Sequence, residues 1–286
     1  MLKNSFSPRL LKSLLIPGDE PIMHRLRVLS AVILVLPFLL LVHYGSPLHF
    51  RLLMSVAILL CAWEFAWLCP AGGSGVAAIL TVMGSLAWQW SAIAGVTPAV
   101  VPPVVAAGML AWAVVGRGEF RVDAVRAAWV VLGVAYVGAL LTYGGLLRDL
   151  PDGRQLITFV AFTTWAGDIG AYYVGSRWGR RALAPRVSPK KTVEGMLGGI
   201  AASVIVGGAG SVWLWPLLSP GSALWIAGVL ALVGILGDLA ESVVKRAAGV
   251  KDSGASIPGH GGVLDRLDSL IFAAPALYAM VRLGWV

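Results

Sequence analysis

Residues 222–243 read SALWIAGVLALVGILGDLAESV, and the first sixteen of them carry no charge. A helix of about 20 mostly apolar residues crosses a hydrocarbon core of roughly 30 Å. The stretch therefore predicts a membrane span. It ends with two acidic residues, Asp238 and Glu241, and a charge at membrane depth is costly enough to need a reason.

Similar apolar runs recur along the whole chain of 286 residues. Hydrophobic residues make up 58% of it and charged residues 13%, whereas soluble domains average roughly 45–50% and about 25%. This composition excludes an ordinary soluble domain and predicts an all-α polytopic membrane protein with about nine transmembrane helices. The candidate spans are 28–44, 50–69, 75–94, 98–115, 127–147, 155–175, 195–217, 222–243 and 267–285.

The basic residues predict the orientation of these spans. Of the 22 Lys and Arg residues, eighteen fall in four segments that lie on one side if the spans are correct. Cytoplasmic loops carry such an excess, so we expect a cytoplasmic N-terminus and a C-terminus on the outer side. The four segments are 1–27, 116–126, 176–194 and 244–266. The net charge of +8 is then explained by topology and anionic lipid, and no motif suggests nucleic acid.

The same reading divides the chain into three parts. Residues 1–27 form a cytosolic tail without a cleavable signal peptide. Residues 28–150 form N-terminal transmembrane helices that embed the protein and could make dimer contacts. Residues 151–286 form the C-terminal transmembrane catalytic region, because most of the unusual polar residues lie there.

Four acidic residues stand out within the apolar runs of predicted spans, where each costs at least about 2.5–3.5 kcal/mol at the bilayer centre unless it is paired or hydrated. They are Glu64, Asp168, Asp238 and Glu241. Glu64 stands alone among aromatic residues, and a bridge to another helix is the favoured interpretation. The other three lie nearer to segments rich in polar residues.

One helical face carries four polar residues spaced i, i+3, i+4 and i+7, namely Asp238, Glu241, Ser242 and Lys245. Asp265 and Asp268 share a second face if the last helix begins there. Carboxylates that converge from two helix ends repel one another unless a cation lies between them. Mg²⁺ prefers such oxygen ligands together with phosphate, and the predicted ligands are Asp238, Asp265 and Asp268.

Groups suited to phosphate surround these carboxylates. Arginine and lysine bind phosphate by charge and geometry, and glycines let backbone N–H groups approach it. The candidates near the last helix are Lys245, Arg246, Lys251, Arg266, Gly259, Gly261 and Gly262. A second polar segment, Ser188 to Thr192, contains Lys190 and Lys191 before a glycine-rich helix, which is typical of an anion site at a helix N-terminus. The glycines of that helix, 195, 198, 199, 207 and 208, predict close helix packing.

At these residues the chain resembles the phosphatidate cytidylyltransferase family, also called CDP-diglyceride synthetases. The family signature runs Ser-x-x-Lys-Arg, then Lys-Asp, then Pro-x-His-Gly-Gly-x-x-Asp-Arg-x-Asp, and it is read without a gap from Ser242 to Asp268. The segments Asp168-x-Gly-Ala-Tyr and Ser188-Pro-Lys-Lys-Thr-x-Glu-Gly are similar to the family's as well. Two positions depart from the pattern, Val193 in place of an aromatic residue and Gly167 in place of alanine.

The resemblance implies that CTP and phosphatidate react to give CDP-diacylglycerol and pyrophosphate. It implies catalytic roles for Asp265, Asp238, Lys245 and His260, with His260 orienting a phosphate. The implied substrate-binding residues are Ser188, Lys190, Lys191, Thr192, Ser242, Arg246, Lys251, Asp252, Gly261, Gly262 and Arg266. The implied cofactor is Mg²⁺, and a second, monovalent cation such as K⁺ is compatible with the family. A homodimer in the bacterial cytoplasmic (inner) membrane, with the site facing the cytoplasm, is the corresponding expectation.

Three other readings stay open at this point. A CDP-alcohol phosphatidyltransferase has the ending Gly-x-x-x-Asp-x-x-x-Asp, but here the second aspartate follows Asp265 after two residues instead of three. A CTP-dependent polyprenol kinase would also act on a lipid at the membrane surface. An ion-coupled transporter would explain acidic residues in spans, although it predicts charges near the midplane and inverted repeats.

Overall fold

The computed structural model describes residues 35–116, 118–213, 215, 218–257 and 261–285. The predicted tail 1–27 and residues 28–34 of the first candidate span lie outside this range. So does His260.

Helices make up most of the described chain. Their bounds are α1 Val35–Tyr44, α2 Pro47–Trp67, α3 Gly75–Ile93, α4 Val101–Val115, α5 Phe120–Gly133, α6 Leu140–Asp149, α7 Gly153–Trp178, α8 Val193–Trp213, α9 Pro220–Ala247 and α10 Leu264–Arg282. A 3₁₀ turn, Pro98–Val100, precedes α4, and a π-helical segment, Val134–Ala139, joins α5 to α6.

Several helices begin at a serine that the sequence places in a turn. The hydroxyl of Ser46 accepts a hydrogen bond from the His49 backbone N–H at 3.4 Å. Ser219 accepts one from the Ser222 N–H at 3.1 Å, and Pro220 follows it as the first helical residue. A serine cap satisfies an N–H group that the helix leaves unpaired, and proline suits the first helical position because that N–H is not needed.

Six helical segments are long and apolar enough to cross a membrane: Pro47–Trp67, Gly75–Ile93, Pro98–Val115, Phe120–Asp149, Val193–Trp213 and Pro220–Ala247. The protein is therefore an integral membrane protein of almost entirely helical structure. The predicted count of nine spans is not confirmed. Helices also cover the sixth and ninth candidate spans, but α7 and α10 are not among these six, and both carry acidic residues.

A small β-hairpin, which the sequence analysis did not predict, connects α7 to α8. Strand β1 (Ala182–Ala184) pairs antiparallel with β2 (Ser188–Thr192), with Ala182 opposite Thr192 and Ala184 opposite Ser188. Strand β2 runs directly into α8. Lys190 and Lys191 therefore lie on a strand next to the helix start, so the hairpin fixes their position.

Glycines let α7 and α8 approach each other closely, as predicted. A Cβ atom added at Gly195 would lie 2.9 Å from the Ala171 carbonyl oxygen, and one at Gly199 would lie 2.8 Å from the Gly167 carbonyl oxygen. The Ser203 hydroxyl donates to the Thr163 carbonyl oxygen across the same contact at 2.8 Å. Small residues with an interhelical hydrogen bond are the usual means of packing helices in lipid.

We expect Gly199→Ala to lower the free energy of unfolding by about 1–3 kcal/mol, the usual effect of overpacking. The added methyl group would meet a backbone oxygen of α7 that cannot move without the helix. Thermal unfolding in detergent measures the effect. Gly221→Ala is the matched control, because nothing lies within 4 Å of its Cβ position. Equal unfolding temperatures for both variants and the parent would contradict the role assigned to this packing.

Apolar packing and polar residues occupy opposite halves of the same helices. The first half of α7 and of α9 and the second half of α10 share one buried cluster, which includes Phe159, Ile226, Leu230 and Leu277. The other half of each helix carries the unusual acidic residues. The buried cluster thus holds the three helices together on one side while their polar ends meet on the other.

Candidate active site

A cavity of about 600 Å³ lies where α7, α8, α9, α10 and the hairpin meet. It combines carboxylates, cationic side chains and small apolar residues. Its polar lining includes Asp168, Lys190, Lys191, Thr192, Asp238, Asp265, Arg266, Asp268 and Ser269. Its apolar lining includes Gly167, Ala171, Met196, Gly199, Ala231, Gly234 and Ile235.

Carboxylates from α9 and α10 converge, as the sequence predicts. One oxygen each of Asp238, Glu241 and Asp268 lies within 4.8 Å of the others. The helices can approach this closely because the Asp268 backbone oxygen occupies the space where Gly237 would carry a side chain. Three carboxylates at this spacing repel one another when ionised, and a divalent cation relieves that repulsion.

Glu241 contributes a buried carboxylate oxygen that no described residue hydrogen-bonds. Its side chain is fully buried, and one oxygen, Oε2, accepts a hydrogen bond from Lys245 at 2.6 Å. The other oxygen, Oε1, has no hydrogen-bond partner among the described residues. Burying a hydrogen-bond acceptor without a partner costs free energy. A cation that binds oxygen ligands, such as Mg²⁺, would satisfy this Glu241 oxygen. The cluster contains Glu241 instead of the predicted Asp265.

Asp265 has a different environment from the other carboxylates. Its Oδ1 accepts from Lys245 Nζ at 2.7 Å. Its Oδ2 accepts from the Ser253 N–H, the Ser253 hydroxyl and the Gly262 N–H, each at 2.9 Å. Both oxygens are therefore engaged by protein groups, and Asp265 organises the loop before α10 as well as lining the cavity.

Lys245 acts as an internal counter-ion in the structure. It is 9% exposed and donates to Glu241 and to Asp265, which links α9 to α10. It is not among the residues that line the cavity. The predicted catalytic role in contact with phosphate therefore has no support from its position.

Three basic residues do line the cavity, namely Lys190, Lys191 and Arg266. The Lys191 ammonium group contacts the Asp238 carboxylate as an ion pair, without the orientation of a hydrogen bond. This contact joins the hairpin to α9. Two polar segments that are far apart in the sequence, the hairpin and the end of α9, therefore form one site. This agrees with the prediction that both lie on the same side of the membrane.

The remaining predicted residues lie around this site with different contacts. Thr192 lines the cavity, and its hydroxyl accepts from the Gly195 N–H at 3.1 Å, which caps α8. Arg246 donates to the carbonyl oxygens of Val187 at 3.2 Å and Val250 at 3.0 Å. Gly261 has a φ of +83°, a conformation that favours glycine. Among the described residues, the cavity lining does not include Ser188, Ser242, Arg246, Lys251, Asp252, Gly261 or Gly262.

Besides Glu241, two carboxylates that were not among the predicted site residues line the cavity or contact the loop beside it. Asp168 lines the cavity, and its Oδ1 accepts from the Ser269 hydroxyl at 3.4 Å. Glu64 binds the loop before α10 and the Leu264 N–H at 2.9 Å. Both could have been found from the sequence by treating every acidic residue inside a span as a site candidate.

Fold and site together define a polytopic membrane protein with acidic and basic side chains facing one cavity at one end of its helices. The chain belongs to the cytidylyltransferase family, whose model matches residues 25–284. That match includes every cavity residue described above.

The chain is also similar to individual proteins of this family, over matches of different length. The chain is 50% identical over 138 residues to a phosphatidate cytidylyltransferase of Synechocystis, which covers 48% of this chain and 46% of that protein. It is 38% identical over 176 residues to that of Bacillus subtilis, with 61% and 65% covered. With that of Staphylococcus epidermidis it is 33% identical over 263 residues, with 88% and 97% covered. The first two matches thus span less than two thirds of the relatives' lengths.

Proposed function

We propose that the protein transfers the cytidylyl group of CTP to phosphatidate, giving CDP-diacylglycerol and pyrophosphate for phospholipid synthesis. The observation that carries this proposal is a cavity in which described residues bring together carboxylates, three basic side chains and an apolar wall. Membership in the cytidylyltransferase family and the names of the relatives support the choice of substrates.

Mg²⁺ is the proposed cofactor, held by Asp238, Glu241 and Asp268. The buried Glu241 oxygen without a hydrogen-bond partner supports this assignment. A bound Mg²⁺ would offset the negative charge of the triphosphate and so stabilise a transition state in which that charge increases on the leaving group. A second, monovalent cation stays a prediction.

The reaction leaves little covalent work to the protein. An oxygen of the phosphatidate phosphate forms a bond to the α-phosphorus of CTP, and the bond from that phosphorus to the bridging β-oxygen breaks. The electron pair leaves with pyrophosphate. Lys190, Lys191 and Arg266 line the cavity where these anions would meet, and positioned cations reduce their mutual repulsion.

The apolar part of the cavity supports a lipid substrate. Met196 on α8, together with Ala231 and Ile235 on α9, lines the same space as the charged residues. Helices α8 and α9 are both apolar enough to cross a membrane. A lipid could therefore present its phosphate to the cations while its acyl chains stay against apolar helix surfaces.

The proposed location is the cytoplasmic membrane of a bacterium, with the cavity facing the cytoplasm. The excess of Lys and Arg in segments 176–194 and 244–266 supports this orientation, because both segments contribute to the cavity. CTP would then be supplied from the same side. The nine spans, the positions of the termini and the homodimer stay predictions.

Labelled nucleotides test the proposal directly. The purified protein in detergent is given phosphatidate and CTP labelled either at the α- or at the γ-phosphate, with and without Mg²⁺. We expect α-label to enter the lipid and γ-label to leave as pyrophosphate, only with Mg²⁺ present. The γ-label in a lipid would indicate a kinase instead. No transfer of either label by folded protein would contradict the proposed function.

A further inference from the structure

A buried carboxylate on α2 holds the loop that precedes α10. Glu64 is 5% exposed. Its Oε1 accepts hydrogen bonds from the Ser256 hydroxyl at 2.6 Å and the Val263 N–H at 3.0 Å. Its Oε2 accepts from the Leu264 N–H at 2.9 Å and the Ser253 hydroxyl at 3.1 Å. The donors lie 189 to 200 residues later in the chain, so the contact joins α2 to a segment that is distant in the sequence.

Glu64 caps α10 from a distant helix. The N–H groups of Val263 and Leu264 stand at the start of α10 and have no partner within the helix. The N-cap residue Val263 offers no side-chain hydrogen bond of its own. A carboxylate at this end satisfies both N–H groups and also interacts favourably with the helix dipole.

The loop is shaped around this carboxylate. A Cβ atom at Gly254 would lie 2.8 Å from Glu64 Oε1, and one at Gly262 would collide with Glu64 Oε2 and the Ser253 hydroxyl. Two glycines thus allow the backbone to enclose the carboxylate. The contact is a built feature of the loop, and a different side chain at either glycine would displace it.

Ser253 connects this contact to the cavity. Its hydroxyl lies 3.1 Å from Glu64 Oε2 and 2.9 Å from Asp265 Oδ2. A hydroxyl has one hydrogen and donates to one acceptor at a time, so the two carboxylates share it. Asp265 lines the cavity, and Asp268 follows one turn later on the same helix.

We infer that Glu64 is a positioning residue for the active site. It fixes the loop and the first turn of α10, so that Asp265 and Asp268 face the cavity. The N-terminal helices then contribute to the site in addition to embedding the protein. The kinetic part of this inference rests on the proposed function.

Glu64→Gln is the decisive variant. Whichever way the amide turns, its NH₂ group faces the backbone N–H of either Val263 or Leu264, so one N–H of the first turn loses its acceptor. We expect kcat to fall about 10- to 100-fold, as for other groups that orient site residues, with a much smaller change in KM for CTP. Hydrogen exchange is expected to accelerate in peptides from 252–268. Glu119→Gln, at an exposed position, is the control.

Two further variants separate positioning from folding. Ser253→Ala keeps Glu64 and its contacts with α10 but removes the shared hydroxyl, so we expect a smaller loss of kcat in the same direction. Glu64→Asp keeps the charge on a shorter side chain and is expected to retain more activity than Glu64→Gln. Neither variant leaves a new buried charge.

Several results would overturn the inference. Unchanged exchange in 252–268 for Glu64→Gln would show that the loop does not depend on this carboxylate. Accelerated exchange along the whole chain would indicate a general loss of stability instead. Exchange needs no substrate, so it can be measured even if the parent protein makes no CDP-diacylglycerol. Local acceleration in Glu64→Gln relative to such a parent would support the contact and reject only the proposed reaction.

Discussion

Asp268→Asn is expected to lower kcat by about 10²- to 10³-fold, the range for losing one group that stabilises transition-state charge. Asp268 belongs to the cluster with Asp238 and Glu241, and asparagine keeps its shape while removing its charge. The same change reduces repulsion within the cluster, so the variant without Mg²⁺ should unfold at the same or a higher temperature. Initial rates and thermal unfolding measure the two effects.

Titration with Mg²⁺ gives a second measurement on the same variant. A ligand that binds only the folded protein raises its unfolding temperature, so the parent should gain stability with Mg²⁺ and Asp268→Asn should gain less. Asp152→Asn is the control, since Asp152 precedes α7 and lies about 24 Å along that helix from Asp168. Asparagine also suits the φ of +57° at this position, because it adopts positive φ more readily than most residues. Equal responses to Mg²⁺ in all three proteins would contradict the assigned cation site.

Lys245→Met is expected to lower the free energy of unfolding by about 3–5 kcal/mol, as when one partner of a buried ion pair is removed. Lys245 lies between Glu241 and Asp265, and both would lose their cation. Methionine has similar length and no charge, so the effect reports on the charge. Thermal unfolding in detergent measures the loss, and activity should fall with it.

Two comparisons make this result specific. Lys251→Met removes the same charge at an exposed position and should change stability by less than about 0.5 kcal/mol. Adding Glu241→Gln to Lys245→Met removes one of the two uncompensated carboxylates, so the double variant should be more stable than Lys245→Met alone. If Lys245→Met unfolds at the temperature of Lys251→Met, Lys245 is not the internal counter-ion inferred from its contacts.

The polytopic helical character of the chain and its unusual acidic residues could be predicted from sequence because both follow from the energetics of lipid, whereas the count of nine spans is not confirmed. Apolar runs such as the first sixteen residues of 222–243 have no other stable environment. A carboxylate such as Asp238 is costly at membrane depth without a function, so its position is informative on its own. Helical spacing then predicted that Asp265 and Asp268 share a face, and both line the cavity.

The partners of each charge could not be predicted in this way. Spacing along one helix does not say which carboxylates bind Lys245. The structure shows that Glu241 and Asp265 both do, while Glu241 Oε1 has no hydrogen-bond partner among the described residues. Glu64 is paired with donors 189 or more residues away, which no local pattern encodes. The hairpin was missed because strands of three and five residues carry too little periodicity.

The length of α9 bears on where the chemistry meets the solvent. Its 28 residues extend about 42 Å, whereas the hydrocarbon core is only about 30 Å thick. The last two turns, which follow Asp238, would therefore reach the layer of lipid headgroups. A reaction at that depth lets a water-soluble product diffuse away in three dimensions while the lipid product leaves sideways in two. Pyrophosphate would enter the water and the lipid product would stay in the bilayer. CTP would likewise not have to enter the hydrocarbon, and phosphatidate would not have to leave the membrane.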